Sequence, residues 1–152
     1  MSTTAGSMHS TFTIERHYPI PPERVFTAWQ DPGLKSRWFA GPGAAHDMDF
    51  RVGGTETVQE RRSGSEELRF TSTYQEIRPW ELILYSSTMH RGRTLGTVSV
   101  TTVEFVSRDG GTRLVLTEHG VYLTDWEGPA SREEGTAAWL DQLGAHLARA
   151  ST

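Results

Sequence analysis

Hydrophobic and polar positions change their period twice along this chain. From Thr11 to Tyr18, Phe12, Ile14 and Arg16 alternate with Thr13, Glu15 and His17, a period of two that predicts a first strand. Pro19, Pro21 and Pro22 stop it, since proline donates no ladder hydrogen bond. The same prolines suit a helix start, and Val25, Phe26 and Trp29 follow as an apolar stripe on a short helix. Asp31-Pro32 reads as the cap and first position of a second short helix through Leu34 to Trp38, broken by Gly41-Pro42-Gly43.

The strand period then returns. Six strands are predicted at His46–Val52, Thr55–Arg62, Glu67–Ile77, Leu82–His90, Thr97–Val106 and Thr112–His119. Turn-like separators such as Gly53-Gly54, Ser63-Gly64 and Asp109-Gly110-Gly111 imply antiparallel hairpins, and seven strands in a meander is the simplest topology. Helical spacing closes the chain: Ser131-Arg132-Glu133-Glu134 reads as a capping box with the serine at the cap. Thr136, Trp139, Leu140, Leu143 and Leu147 form one face of a helix running to about Ala148.

Composition narrows what such an α+β chain does. Its 152 residues suit one domain, expected over residues 11–150 behind a disordered leader at 1–10. There is no cysteine, which excludes disulfides, thiolate nucleophiles and cysteine-held zinc and fits a cytoplasmic location. A formal charge of −4 argues against a general nucleic-acid binder, and no apolar run approaches the ~20 residues of a membrane span. The six histidines show no metal-binding spacing, and no phosphate loop or serine elbow occurs, so no cofactor or metal is expected.

Five passages carry a resemblance: Pro21–Phe39 (PPERVFTAWQDPGLKSRWF), Phe50–Gly54 (FRVGG), Tyr74–Leu82 (YQEIRPWEL), Gly111–Gly120 (GTRLVLTEHG) and Gly135–Leu147 (GTAAWLDQLGAHL). With them the chain resembles the START-like, or SRPBCC, superfamily, in the branch of the C-terminal domain of the heat-shock-protein-90 ATPase activator. The resemblance implies a helix-grip fold, a curved antiparallel sheet wrapped on a long C-terminal helix. Two positions depart from the pattern. Thr136 stands where relatives carry a tryptophan, with Trp139 three residues on, and Ala40 is inserted between Trp38-Phe39 and Gly41-Pro42.

A bent sheet on one helix tends to leave a cavity, so a small apolar or amphipathic ligand is the expected partner. The residues expected to face it are Trp38 and Phe39; Tyr74; Leu84 and His90; Leu114, Leu116 and Glu118; and Trp139, Leu143 and His146. Many of these also suit a plain core. Alternation with Leu114 and Leu116 turns Glu118 inward, where its carboxyl would be hard to ionise, but its place near a strand end favours a solvated rim position. His90 and His146 read most simply as surface groups, and Trp80 as a sheet-end cap or a protein contact. Two alternatives stand beside ligand binding. One is a co-chaperone-like interaction domain, and the other a cyclase or dehydratase using Glu118 with a histidine, or Tyr74 with Tyr85. A homodimer is compatible with a face at Trp80 or at the edge of the first strand.

Overall fold

A computed structural model describes residues 6–61 and 66–150 of the chain. Seven strands form one antiparallel sheet: β1 (Met8–Tyr18), β2 (Ala45–Met48), β3 (Thr55–Arg61), β4 (Glu67–Arg78), β5 (Leu82–Arg91), β6 (Thr94–Arg108) and β7 (Gly111–Tyr122). Three helices complete it: α1 (Pro22–Gln30), α2 (Pro32–Phe39) and α3 (Pro129–Ala150). The expected helix-grip α+β fold is therefore present. Half of the expected leader, Met1–Ala5, lies outside the described residues, as does the Ser63-Gly64 turn, and β1 already begins at Met8.

The strand order is β1-β7-β6-β5-β4-β3-β2. A meander holds from β2 to β7, but β1 crosses to pair with β7 along its whole length, from Met8↔Tyr122 to Tyr18↔Thr112. The α1–α2 hairpin supplies that crossing, because two helices span the sheet where a tight turn cannot. Register irregularities at Tyr74/Glu76 and Met89/His90 interrupt the ladders of the central strands. Such bulges bend a sheet, and here the concave face receives α3.

Local chemistry sets the element ends. Asp31 Oδ1 accepts the Leu34 amide at 3.1 Å, capping α2 as its sequence predicts. The expected strand through Val52 stops instead at Met48, because the chain curls at 49–54: Gly54 donates to the Arg51 carbonyl, and Gly53 and Gly54 bond Tyr74 on β4. A Cβ on Gly54 would overlap the Asp49 carbonyl, so only glycine permits this curl. The capping box at α3 is also corrected. Pro129 opens the helix two residues earlier, and Ser131 lies inside the first turn, where its Oγ accepts the Gly128 amide at 3.2 Å and donates to the Gly128 carbonyl at 3.0 Å. Ser131 thus plays the reciprocal role expected of Glu134.

The core lies between the concave face, α1 and the middle of α3. Val25, Ile83, Val103, Leu114, Leu116, Leu140 and Leu143 are completely buried. Trp29 meets Trp38, Phe105 and Trp139 edge-on at centroid distances of 4.9, 6.1 and 5.8 Å. Each ring's positive edge meets another's negative face, an arrangement contributing roughly 0.5–1.5 kcal/mol per pair beyond burial. Tyr18 ties α3 to β1 by donating to the Leu140 carbonyl at 2.9 Å. Among the described residues no helix is long and apolar enough to cross a membrane.

Candidate functional site

The core does not fill the whole space beneath α3. A cavity of ≈ 340 Å³ remains under the first half of the helix, bounded by the end of α2 and by strands β3, β4, β5 and β7. Its apolar wall is Phe39, Val58, Leu68, Phe70, Met89 and Trp139. Its polar wall is Tyr85, Glu118, Glu127, Ser131, Arg132 and Thr136, with Glu60 beside Gly41. The sheet's pleat turns these side chains inward: Val58 and Glu60 share one face of β3, Leu68 and Phe70 one face of β4, and Tyr85 and Met89 one face of β5.

Arg132 organises the polar wall. It sits one turn before Thr136 and two before Trp139, on the face that α3 presents to the sheet. Its Nε is 3.0 Å from Glu118 Oε2, and its Nη1 is 3.2 Å from Glu127 Oε2. Nη1 also donates to Thr97 Oγ1 at 3.1 Å and Nη2 to Ser99 Oγ at 3.2 Å. The guanidinium lies 5.3 Å over the Phe70 ring, a cation–π contact made in a dry setting. Both terminal nitrogens of the fork are thus engaged.

Glu118 is 4% exposed, which corrects the solvated rim position expected from its place near a strand end. Its Oε1 accepts from Thr101 Oγ1 at 2.9 Å, but the approach of Arg132 to Oε2 is off the hydrogen-bond axis, and Oε2 has no donor. Burial raises the carboxyl above its ordinary range, and Arg132 and Thr101 offset this only in part. Burial likewise pushes the neighbouring Tyr85 phenol far up, aided by the Glu118 charge, so Tyr85 is a neutral donor.

A second ionic cluster lies behind Phe39. Lys35, only 1% exposed, places Nζ 2.7 Å from Glu56 Oε1, which also accepts from the Tyr74 hydroxyl at 2.6 Å. His46 Nε2 lies 2.7 Å from Glu56 Oε2. The ammonium sits 4.4 Å over Phe39 and 5.0 Å over Trp29. Burial alone would raise the Glu56 carboxyl. The Lys35 charge and the hydrogen bonds from His46, Lys35 and Tyr74 outweigh it and hold the group at about 2. Lys35 itself is drawn down by burial, which exceeds what Glu56 restores.

The structure separates the expected site residues into four groups. Phe39, Glu118 and Trp139 meet at the cavity. Trp38, Tyr74, Leu114, Leu116 and Leu143 are buried in the core, with Tyr74 bound to Glu56. Leu84 and His90 do not face the helix: Ile83, Tyr85 and Ser87 are the buried positions of β5, so Leu84 lies on the convex face opposite Thr102, and His90 pairs with Leu95 past the bulge. Both strand parities in Leu82–Tyr85 are apolar, and a shift of one residue exchanges the faces. His146 is buried near the end of α3 rather than exposed, its imidazole pushed down by burial and by the Arg37 and Arg149 charges.

Sequence reasoning missed Lys35, Glu56, Glu127 and Arg132. One signal was present: Lys35 precedes Trp38 and Phe39 by three and four residues, and Arg132 precedes Thr136 by four, so each cation shares a helix face with buried residues. A cation on an apolar face implies a buried acid elsewhere. The sequence does not say where.

Comparison with known proteins agrees with the geometry. The chain is similar to protein Mll3558 of Rhizobium loti, with 40% identity over 93% of this chain and 99% of that one and a TM-score of 0.88. It is also similar to a protein of Rhizobium leguminosarum, with 36% identity over 97% and 99% of the two chains and a TM-score of 0.91. CalU16 of Micromonospora echinospora, 19% identical over 93% of this chain and 86% of that one, shares the fold with a TM-score of 0.67. No curated protein matches the sequence. The profile of the family described as "Activator of Hsp90 ATPase homolog 1-like protein" matches residues 19–148, and the chain belongs to that family.

Proposed function

We propose that this domain binds a small amphipathic molecule in the cavity beneath α3. The observation carrying this reading is the cavity itself: ≈ 340 Å³ lined by Phe39, Leu68, Phe70, Met89 and Trp139 on one side and by polar groups on the other. That volume lies at the lower end of small-ligand sites and suits one or two fused rings or a short chain. Walls so divided orient a ligand, with its apolar body against the aromatics and its polar group toward Arg132 and Glu118.

Two features support reading the space as a site rather than a packing flaw. Thr136 replaces the tryptophan that the resemblance leads one to expect, and it lines the cavity. Trp139, on the next turn, packs edge-on against Phe39 at 5.0 Å and forms the wall instead of filling the space. A catalytic reading gains less support. No histidine lines the cavity, and the Tyr74 hydroxyl is engaged by Glu56.

The test uses N-phenylnaphthylamine, an uncharged dye that fluoresces in apolar surroundings. Saturable binding to the wild-type chain is expected, with a rise in thermal midpoint as the dye concentration passes its dissociation constant. Thr136→Trp puts an indole into the cavity and is expected to abolish dye binding while leaving a cooperative thermal transition. Absence of binding to the wild type, or undiminished binding to a folded Thr136→Trp, overturns the proposal.

A further inference from the structure

The cavity's charge is lopsided. Among the described residues two acids that line it, Glu118 and Glu127, share the one lining cation, Arg132. That cation is already held between Glu118 at 3.0 Å and Glu127 at 3.2 Å, with Thr97 accepting from the Nη1 that faces Glu127 and Ser99 from Nη2. An anionic ligand head therefore meets a guanidinium with little left to give and a surplus of negative charge in a partly desolvated space, where Coulomb energies exceed their value in water. The opposite holds for a donor. Glu118 Oε2, on a side chain 5% exposed, is an acceptor without a hydrogen-bond donor. A buried acceptor left without a donor carries a desolvation cost that an incoming N–H or O–H relieves.

From this distribution, and resting on the binding role above, we infer that the cavity selects amphipathic amines and alcohols, whose polar group donates hydrogen bonds, and rejects carboxylates and sulfonates of the same size and shape. Glu118 is the acceptor at the inner end. Glu127, carried by the segment between β7 and α3, both occupies Arg132 and adds the repelling charge.

Two matched probe pairs test this. Anilinonaphthalene sulfonate is N-phenylnaphthylamine with an added sulfonate, and it is expected to bind at least about tenfold more weakly than the uncharged dye. Naphthylethylamine is expected to displace the uncharged dye at concentrations at least about tenfold below those needed for naphthylacetate. Glu127→Gln removes one carboxylate and frees part of Arg132 with little change of shape, and should narrow the gap between the two dyes severalfold. Glu118→Gln should weaken the amine's advantage specifically. Should both dyes bind equally well, or naphthylacetate compete as well as the amine, the selectivity is overturned while the binding role stands. Should neither dye bind, the binding role itself fails. A gap unchanged in both folded variants overturns the assignment to these two carboxylates.

Discussion

Two ionic clusters lie under the same sheet, and they differ in one respect. Around Glu56, Lys35, His46 and Tyr74 converge until both oxygens are supplied, the ammonium rests on two aromatic faces, and every charge is packed over. Around Arg132, Glu118 and Glu127 share one guanidinium, an acceptor is left over, and the cluster borders open space. The first fastens α2 to β3 and β4. The second forms a wall that a partner molecule can complete. Lys35 and Arg132 are both buried, so completeness of hydrogen bonding distinguishes a fastening from a site.

The largest expected effect comes from breaking the complete cluster. Lys35→Met leaves the Glu56 carboxylate buried without its cation and should cost about 3–5 kcal/mol, read as a lower denaturant midpoint at neutral pH. The same cluster sets an acid limit. Glu56 has a folded pKa of about 2 against an ordinary 4.5, so its contribution is whole above about 4.5 and is lost as pH falls toward 2. Replacing Glu56 by Gln should flatten that acid limb in a plot of thermal midpoint against pH.

Arg132→Leu should cost less, about 1–3 kcal/mol, and its cost should change with pH over a higher range than that of Lys35→Met. The folded pKa of Glu118 lies above its ordinary value, so its burial opposes folding increasingly as pH rises from that ordinary value to the folded one, and protonation relieves the cost below. The loss is expected to be smaller at mildly acidic than at mildly alkaline pH. An equal loss at both would mean that the two clusters do not differ as described.

A smaller effect sharpens the comparison at a distance. A Cβ on Gly96 would come within 2.3 Å of the Trp126 ring, which rests on that backbone next to Glu127. Gly96→Ala should displace the indole, lower stability by about 1 kcal/mol, and strengthen binding of anilinonaphthalene sulfonate as Glu127 shifts from Arg132. The smallest effect is a control. Arg51 and Asp49 pair at 2.8 Å, but both are more than half exposed, so Arg51→Ala should change stability by at most about 1 kcal/mol and leave dye binding untouched.

Much of the fold is legible in the sequence, and the reasons are local. Alternation marks the strands, Asp31 and the prolines mark the helix starts, and the parity of Leu114 and Leu116 turns Glu118 inward. Local signals also mislead where two readings share one pattern. Leu82–Tyr85 is apolar at every position, so nothing in it says which face is buried, and Leu84 and His90 were placed on the wrong one. Ser131 satisfies the cap pattern, yet Pro129 starts the helix earlier.

The sequence by itself determined which segments are strands and helices, because periodicity and capping act within a few residues. Only the tertiary structure decided that β1 closes on β7, that Lys35 meets Glu56 twenty-one residues away, and that Arg132 is shared between Glu118 and Glu127. Those outcomes depend on the sheet's curvature and on the volume left beneath the helix, and volume belongs to the packed assembly rather than to any stretch of chain.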